Sequence, residues 1–261
     1  MERAHVEVAV LGPIDLHGCR APFRRPAARD LVVYLALHPE GATHAQWSLA
    51  LWPDRPVSPA TIHSTASDAR RALGVDRFGQ ARLPRGRMLR LSEDVTTDVE
   101  RFSRLASAGN ADSLCRALDL LRGPLLAGLR RSDWAVLDGT QARLESLVVH
   151  TALRASRALV AADRPERAER MLRRALVVSP YDERLFRSLL EATEAQGNRV
   201  ALGATMAELL ARAGGAHAAF GLPTPSGKES SLVSVLHPQT TALYRHLAGL
   251  RAATEERPAR L

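Results

Sequence analysis

A chain of 261 residues with 46% hydrophobic side chains has enough apolar material for a substantial core and too much for wholesale disorder. No apolar run approaches a membrane span, no basic–apolar–small signal segment opens the chain, and Cys19 and Cys115 lie far apart without CxxC spacing. These features argue against a membrane protein, a disulfide framework or a metal centre, and favour a cytoplasmic chain. The net charge is +8, and of 36 basic residues all but Lys228 are arginine. Such a bias fits GC-rich coding as well as selection for nucleic acid, so its distribution matters more. Arg70–Arg90 holds seven arginines against a single acid, Asp76.

The opening reads as strand: Val6, Val8 and Val10 alternate with Glu7 and Ala9, Gly12-Pro13 turns the chain, and Ile14-Asp15-Leu16 resumes the alternation. Pro26 at a first-turn position and a stripe of Ala28, Leu31, Val32 and Leu35 predict a helix that His38-Pro39-Glu40-Gly41 stops. Thr43 and Gln46 have capping-box spacing and open a second helix through Trp47 and Leu51, closed by Trp52-Pro53. Ser58-Pro59 is an N-cap and N1 pair for a third helix, Ser58–Leu73, with Ile62, Ala66, Ala69 and Leu73 on its inner face and Gly74 ending it. Gln80–Leu83 and Met88–Leu91, joined by Pro84-Arg85-Gly86-Arg87, predict a hairpin. Strands, three helices and a hairpin over residues 1–95 make a winged helix-turn-helix.

Residues 98–261 keep a helical period. Helices are predicted over Val99–Ala108, Ser113–Leu121, Trp134–Ala161, Pro165–Val178, Asp182–Ala195, Ala201–Arg212 and Gln239–Leu250, with a Gly/Pro/Ser-rich loop at Gly214–Ser231. An internal repeat appears at a 34-residue offset, aligning Ala168 with Leu202, Ala175 with Leu209, and Asp163 with Gly197 at the mid-repeat turn. The spacing is that of a tetratricopeptide pair, with Pro180 at its closing position. The fold class expected is mainly α with a small β component: a winged helix-turn-helix followed by an α-helical tetratricopeptide-like domain.

An ordered set of short motifs runs through both halves. It comprises Val10-Leu11-Gly12-Pro13, Leu31–Leu37 with His38-Pro39, Leu51-Trp52-Pro53, Ala69-Arg70-Arg71-Ala72-Leu73-Gly74 and Arg85-Gly86. It continues with Thr97-Asp98-Val99-Glu100-Arg101-Phe102, Leu121-Arg122-Gly123-Pro124-Leu125-Leu126, Ser179-Pro180-Tyr181-Asp182-Glu183-Arg184, and His237-Pro238 before Leu243-Tyr244. In this the chain resembles the antibiotic-regulatory type of actinobacterial activators, which join a response-regulator-type winged helix to a tetratricopeptide-like bacterial transcriptional activator domain. The resemblance implies a third helix in the major groove of double-stranded DNA, a wing at Arg85–Arg87 on the backbone, and a helical domain that self-associates, as a homodimer, or contacts RNA polymerase or another regulator. Members of this type occur at the end of much larger chains, so Met1 need not be a true start.

With Ile62, Ala66, Ala69 and Leu73 inward, Ser64, Ser67, Asp68 and Arg71 point away and Thr61, Thr65 and Arg70 flank them. The DNA-facing candidates are Thr61, Ser64, Thr65, Ser67, Arg70, Arg71, Arg85 and Arg87: hydroxyls for phosphates or base edges, guanidinium groups for phosphate or guanine. Asp68 departs from the related proteins, which often carry a basic residue there, and an exposed acid beside phosphates repels. No catalytic motif appears and no cofactor is expected. Gly221–Lys228 misses a phosphate loop, with five residues between its glycines and Glu229 in the Ser/Thr position. His63 is expected on the flank of the third helix, and Trp47, Trp52 and Trp134 as core anchors. The alternative reading is a protein-interaction scaffold whose winged helix no longer binds DNA.

Overall fold

A computed structural model describes residues 5–130, 132–219 and 232–255. Its backbone contacts divide the chain into two compact units, residues 1–107 with 119–146 and residues 108–118 with 147–261. The expected division near residue 97 is a single cut; the observed one sends the chain back to the first unit.

The first unit begins with β1 (Val6–Ala9), which pairs antiparallel with β2 (Asp15–His17) at Val8 and Leu16. The other edge of β1 takes β5 (Val95–Thr97) in parallel, Val6 opposite Val95, giving the order β2-β1-β5. Between these strands run α1 (Pro26–Ala36), β3 (Ala42–Thr43), α2 (His44–Leu51), α3 (Pro59–Leu73) and β4 (Met88–Leu89). Alternating valines of β1 and the stripe of α1 meet Trp47, Ala69, Leu73, Leu83 and Leu89 in one core. Thr43 caps α2 with both halves of a capping box, and Ser58 Oγ accepts the Thr61 N–H at 3.2 Å to cap α3. Gly74 ends α3 at φ +71°, where a β-carbon would sit 2.9 Å from Arg20 Cδ.

The wing differs from the expected hairpin. Met88–Leu89 pairs with Ala42–Thr43, not with Gln80–Leu83, which is held instead by a Val75–Ala81 bridge, backbone bonds to Gly74 and Asp76, and a Ser92 N–H bond to Arg82 O. The short β3 offers unpaired backbone groups to β4, and the chain from Gly74 to Arg87 is left as a supported loop.

Residues beyond β5 stay with the first unit for an electrostatic reason. Asp98, first residue of α4 (Asp98–Ala108), is buried and its carboxylate accepts the Val10 and Leu11 N–H groups, each at 2.9 Å. Burial raises its pKa, the two amides and the Arg122 guanidinium 3.5 Å away pull it down, and Glu7 adds to the rise; the balance lies above the ordinary aspartate range. The segment from Arg122 to Ala127 then runs beside Val10–Ile14 with four backbone hydrogen bonds of 2.8–3.1 Å. A helix α6 (Asp133–Leu137) follows, holding Trp134 against Tyr34 at 4.9 Å between ring centroids. The single helix expected over Trp134–Ala161 is thus two, because Gly139 at φ +78° breaks the spiral before α7 (Thr140–Ala161).

The second unit contains α5 (Ala111–Leu118), the later part of α7, α8 (Pro165–Val178), α9 (Glu183–Ala195), α10 (Arg199–Ala219) and α11 (Pro238–Glu255). The turns after α7 and α9 place Asp163 at φ 57° and Gly197 at φ 68°, the same left-handed conformation 34 residues apart. Ala168, Ala175, Leu202 and Leu209, the pairs of the repeat, are all buried. Across the repeats Arg173 bonds Glu169 at 2.8 Å and Glu208 at 3.1 Å, and Arg212 bonds Glu208 at 3.1 Å and Pro180 O at 3.2 Å. Helix α10 continues through Gly214-Gly215, beyond the predicted end at Arg212. The remainder of the predicted loop, including Gly221–Lys228, lies outside the described residues. Among the described residues no helix is long and apolar enough to cross a membrane.

Candidate nucleic-acid interface

The inner face of α3 is broader than its apolar spacing indicates. Ala66, Ala69 and Leu73 are buried as expected, Ile62 packs partly buried against the core, and Thr65, Asp68 and Ala72 are buried beside them. The cause is the chain entering α1. The backbone N–H groups of Arg24 and Arg25 donate to Asp68 Oδ2 at 2.9 and 2.8 Å, so the end of the turn before α1 rests on this flank of α3.

Arg71 completes that clasp. Its Nη2 donates to Asp68 Oδ1 at 2.6 Å and to Pro22 O at 2.6 Å, and its Nε to Asp68 Oδ1 at 3.2 Å. Burial pushes the Asp68 carboxyl up, but the Arg71 hydrogen bonds, the two amides and the Arg71 charge bring it below the usual aspartate value. The apparent anomaly of an acid on the DNA side therefore dissolves: Asp68 faces inward and ties α3 to α1. Two of the sequence candidates leave the DNA-facing set with it. Thr65, at 1% exposure, has no surface to offer, and Arg71 commits its Nε and Nη2 to Asp68 and Pro22.

What remains outward is a polar ridge. Ala60, His63 and Ser67 are exposed along α3, and Thr61 and Ser64 are half-exposed beside them. The Ser64 hydroxyl donates to Thr61 O at 3.0 Å, and Thr61 Oγ1 lies 3.1 Å from Ser58 Oγ, so both hydroxyls are locally held. His63 stands edge-on to His44 at 5.9 Å between centroids, which joins the ridge to the start of α2.

Positive charge gathers where α3 ends. Arg70 Nε donates to Leu83 O at 3.1 Å, bracing the helix against the strand-like segment that leads to the wing. Burial, and then the nearby Arg85 charge, both disfavour its cation and lower its pKa. Two guanidinium groups close enough to repel create a local potential that an anion relieves. Arg85 and Arg87 are exposed on the loop, with Arg90 exposed just beyond β4. Arg82, in the middle of the basic stretch, is instead buried, pairing with Asp94 at 2.6 Å and donating to Leu73 O. Arg70 thus lies within range of the Arg85 charge, with Arg87 on the same loop, while Arg71 is engaged by Asp68 and Pro22 and Arg82 is buried on Asp94. Among the described residues no cluster of three or more His, Cys, Asp or Glu side chains forms a metal site.

Residues 88–204 match the family of the bacterial transcriptional activator domain. No curated protein sequence matches the chain. Among solved structures, Mycobacterium tuberculosis EmbR, in complex with a low affinity phosphopeptide, aligns over 98% of this chain and 72% of its own, with a TM-score of 0.57 and 22% identity, a likeness of fold. Residues 88–204 are thus similar to a bacterial transcriptional activator domain, and the chain as a whole, mostly helical with a small β region at its start, shares the fold of that solved structure.

Proposed function

We propose that the protein binds double-stranded DNA by placing the ridge of α3 in a major groove while Arg70, Arg85 and Arg87 neutralise phosphates. The observation that carries this reading is an α3 ridge holding no acid on its exposed positions, followed in the chain by a loop that exposes Arg85 and Arg87, the former within charge range of Arg70. Ser67 and His63, with Thr61 and Ser64 beside them, supply the donors and acceptors that base edges require. The ridge begins at the capped N-terminus of α3, whose partial positive charge favours phosphate as well. On this account residues 1–95 are the DNA-binding part and residues 98–261 the part that self-associates or meets RNA polymerase or another regulator, with the chemistry non-catalytic throughout.

Binding of the purified chain to a random duplex at falling salt is the test. Affinity should rise steeply as salt falls, with a log–log slope of about −0.9 for each phosphate neutralised. A chain that stays unbound at about 50 mM salt, where backbone contacts are strongest, removes this reading and leaves the helical repeats as the functional part.

A further inference from the structure

A second polar feature of the first unit has no role in the DNA-binding account. Between α1, the end of α2 and the segment before α6 lies a cleft of about 360 Å³, within the range of small-ligand sites. Ala27 and Leu51 form an apolar floor, the half-buried indole of Trp52 a wall, and Arg55 and Arg130 stand exposed at the mouth. Asp54 lines the same wall.

Asp30 of α1 opens into this cleft at 8% exposure, and among the described residues its carboxylate accepts no hydrogen bond. Asp98 and Asp68, the other deeply buried carboxylates of this unit, each take two backbone amides and an arginine. Burial raises the Asp30 pKa, and Arg130 and Arg29 pull it back without donating to it; Arg29 donates to Ile14 O instead. A buried acceptor without a donor is costly unless something in the cleft supplies one.

We infer that the cleft binds a small zwitterion, whose ammonium donates to Asp30, whose carboxylate meets Arg55 and Arg130, and whose short apolar body lies against Trp52 and Leu51. An ammonium is the donor that matches a buried carboxylate, and a planar guanidinium pair matches a carboxylate. The indole face adds attraction for the cation and cover for the methylenes. Such an occupant touches the loop that leads from Trp52 to Ser58, the N-cap of α3.

The experiment is calorimetric titration of the full chain with a graded series of ω-amino acids: glycine, β-alanine, 4-aminobutyrate and 6-aminohexanoate. Butylamine and butyrate serve as the two half-ligands. One member of the series should bind saturably, with each half-ligand about tenfold weaker or more, the loss of one charged contact. Asp30→Asn should abolish the heat while leaving the tryptophan-detected melting intact, since no internal bond of Asp30 is lost. Arg130→Ala, at the exposed mouth, should weaken the zwitterion but not butylamine, and it keeps the test decisive if Asp30→Asn misfolds. No saturable binding by any amino acid of the series overturns the inference. So does binding that survives both substitutions, or butylamine binding as tightly as the best zwitterion.

Discussion

Replacing Asp68 with alanine tests the clasp between α3 and α1. The substitution strips acceptors from two backbone amides at the entry to α1 and leaves the Arg71 guanidinium without its anion. Loss of a capping carboxylate costs about 1 kcal/mol. Breaking a well-buried ion pair costs about 3–5 kcal/mol. The Arg71 side chain is 32% exposed against 6% for Asp68, so water reclaims part of that second cost. A total of about 2–4 kcal/mol follows. At roughly 3 °C per kcal/mol for a unit of this size, that is a fall of about 6–12 °C in melting temperature. Trp47, Trp52 and Trp134, the three tryptophans of the chain, all belong to the first unit, so intrinsic fluorescence follows its unfolding alone. A variant that melts within about 2 °C of the parent, less than 1 kcal/mol, would refute the reasoning and return Asp68 to the surface.

The same clasp sets an acid limit. Because the Asp68 pKa is lowered on folding, its contribution is fully present above the ordinary aspartate value near ~3.9 and is lost as pH falls through the lower folded value; Asp68→Asn should flatten fluorescence-detected stability across that window. Leu73→Ala, at a fully buried position, should cost about 2–5 kcal/mol in urea unfolding. Ser67→Ala on the exposed ridge should fall within about 0.5 kcal/mol of the parent. Gly139→Ala, forcing a β-carbon onto φ +78°, should lower stability by about 1 kcal/mol, and a neutral result would mean α6 and α7 tolerate fusion. Arg173→Ala should loosen the second unit alone, lowering helical circular dichroism stability without moving the tryptophan transition.

Local signals carried well from residues to elements. Pro26 and Pro59 stand at helix starts, the Thr43–Gln46 box forms with both halves, and Pro165 opens α8. The 34-residue offset also survives, because Asp163 and Gly197 mark a conformation that the backbone itself repeats. Longer-range dependence did not show. Asp68 answers to amides 43 and 44 residues earlier and Asp98 to amides 87 and 88 residues earlier, and neither spacing leaves a pattern in sequence. The same holds for β4, whose partner β3 is a two-residue strand with no alternation to display. The break at Gly139 was legible, since Asp138-Gly139 is a turn dipeptide, but the long helical period on either side masked it. At the candidate interface apolar spacing located the helix and its outer ridge. It misplaced Thr65, Asp68 and Arg71 because the entry to α1 widens the buried arc.

The most direct measurement compares salt slopes of DNA binding for two folded variants. Arg70→Ala/Arg85→Ala/Arg87→Ala removes the half-buried arginine at the end of α3 and the two exposed on the wing loop, and Arg71→Ala removes the one engaged by Asp68 and Pro22. Anisotropy titrations on one duplex across a range of salt should show the triple variant losing up to about 2.7 units of slope, roughly 0.9 for each contact. Arg71→Ala should lower stability but keep the parent's slope. A triple variant with an unchanged slope, or an Arg71→Ala slope that drops by about 0.9, would contradict the assignment of α3 and its wing loop.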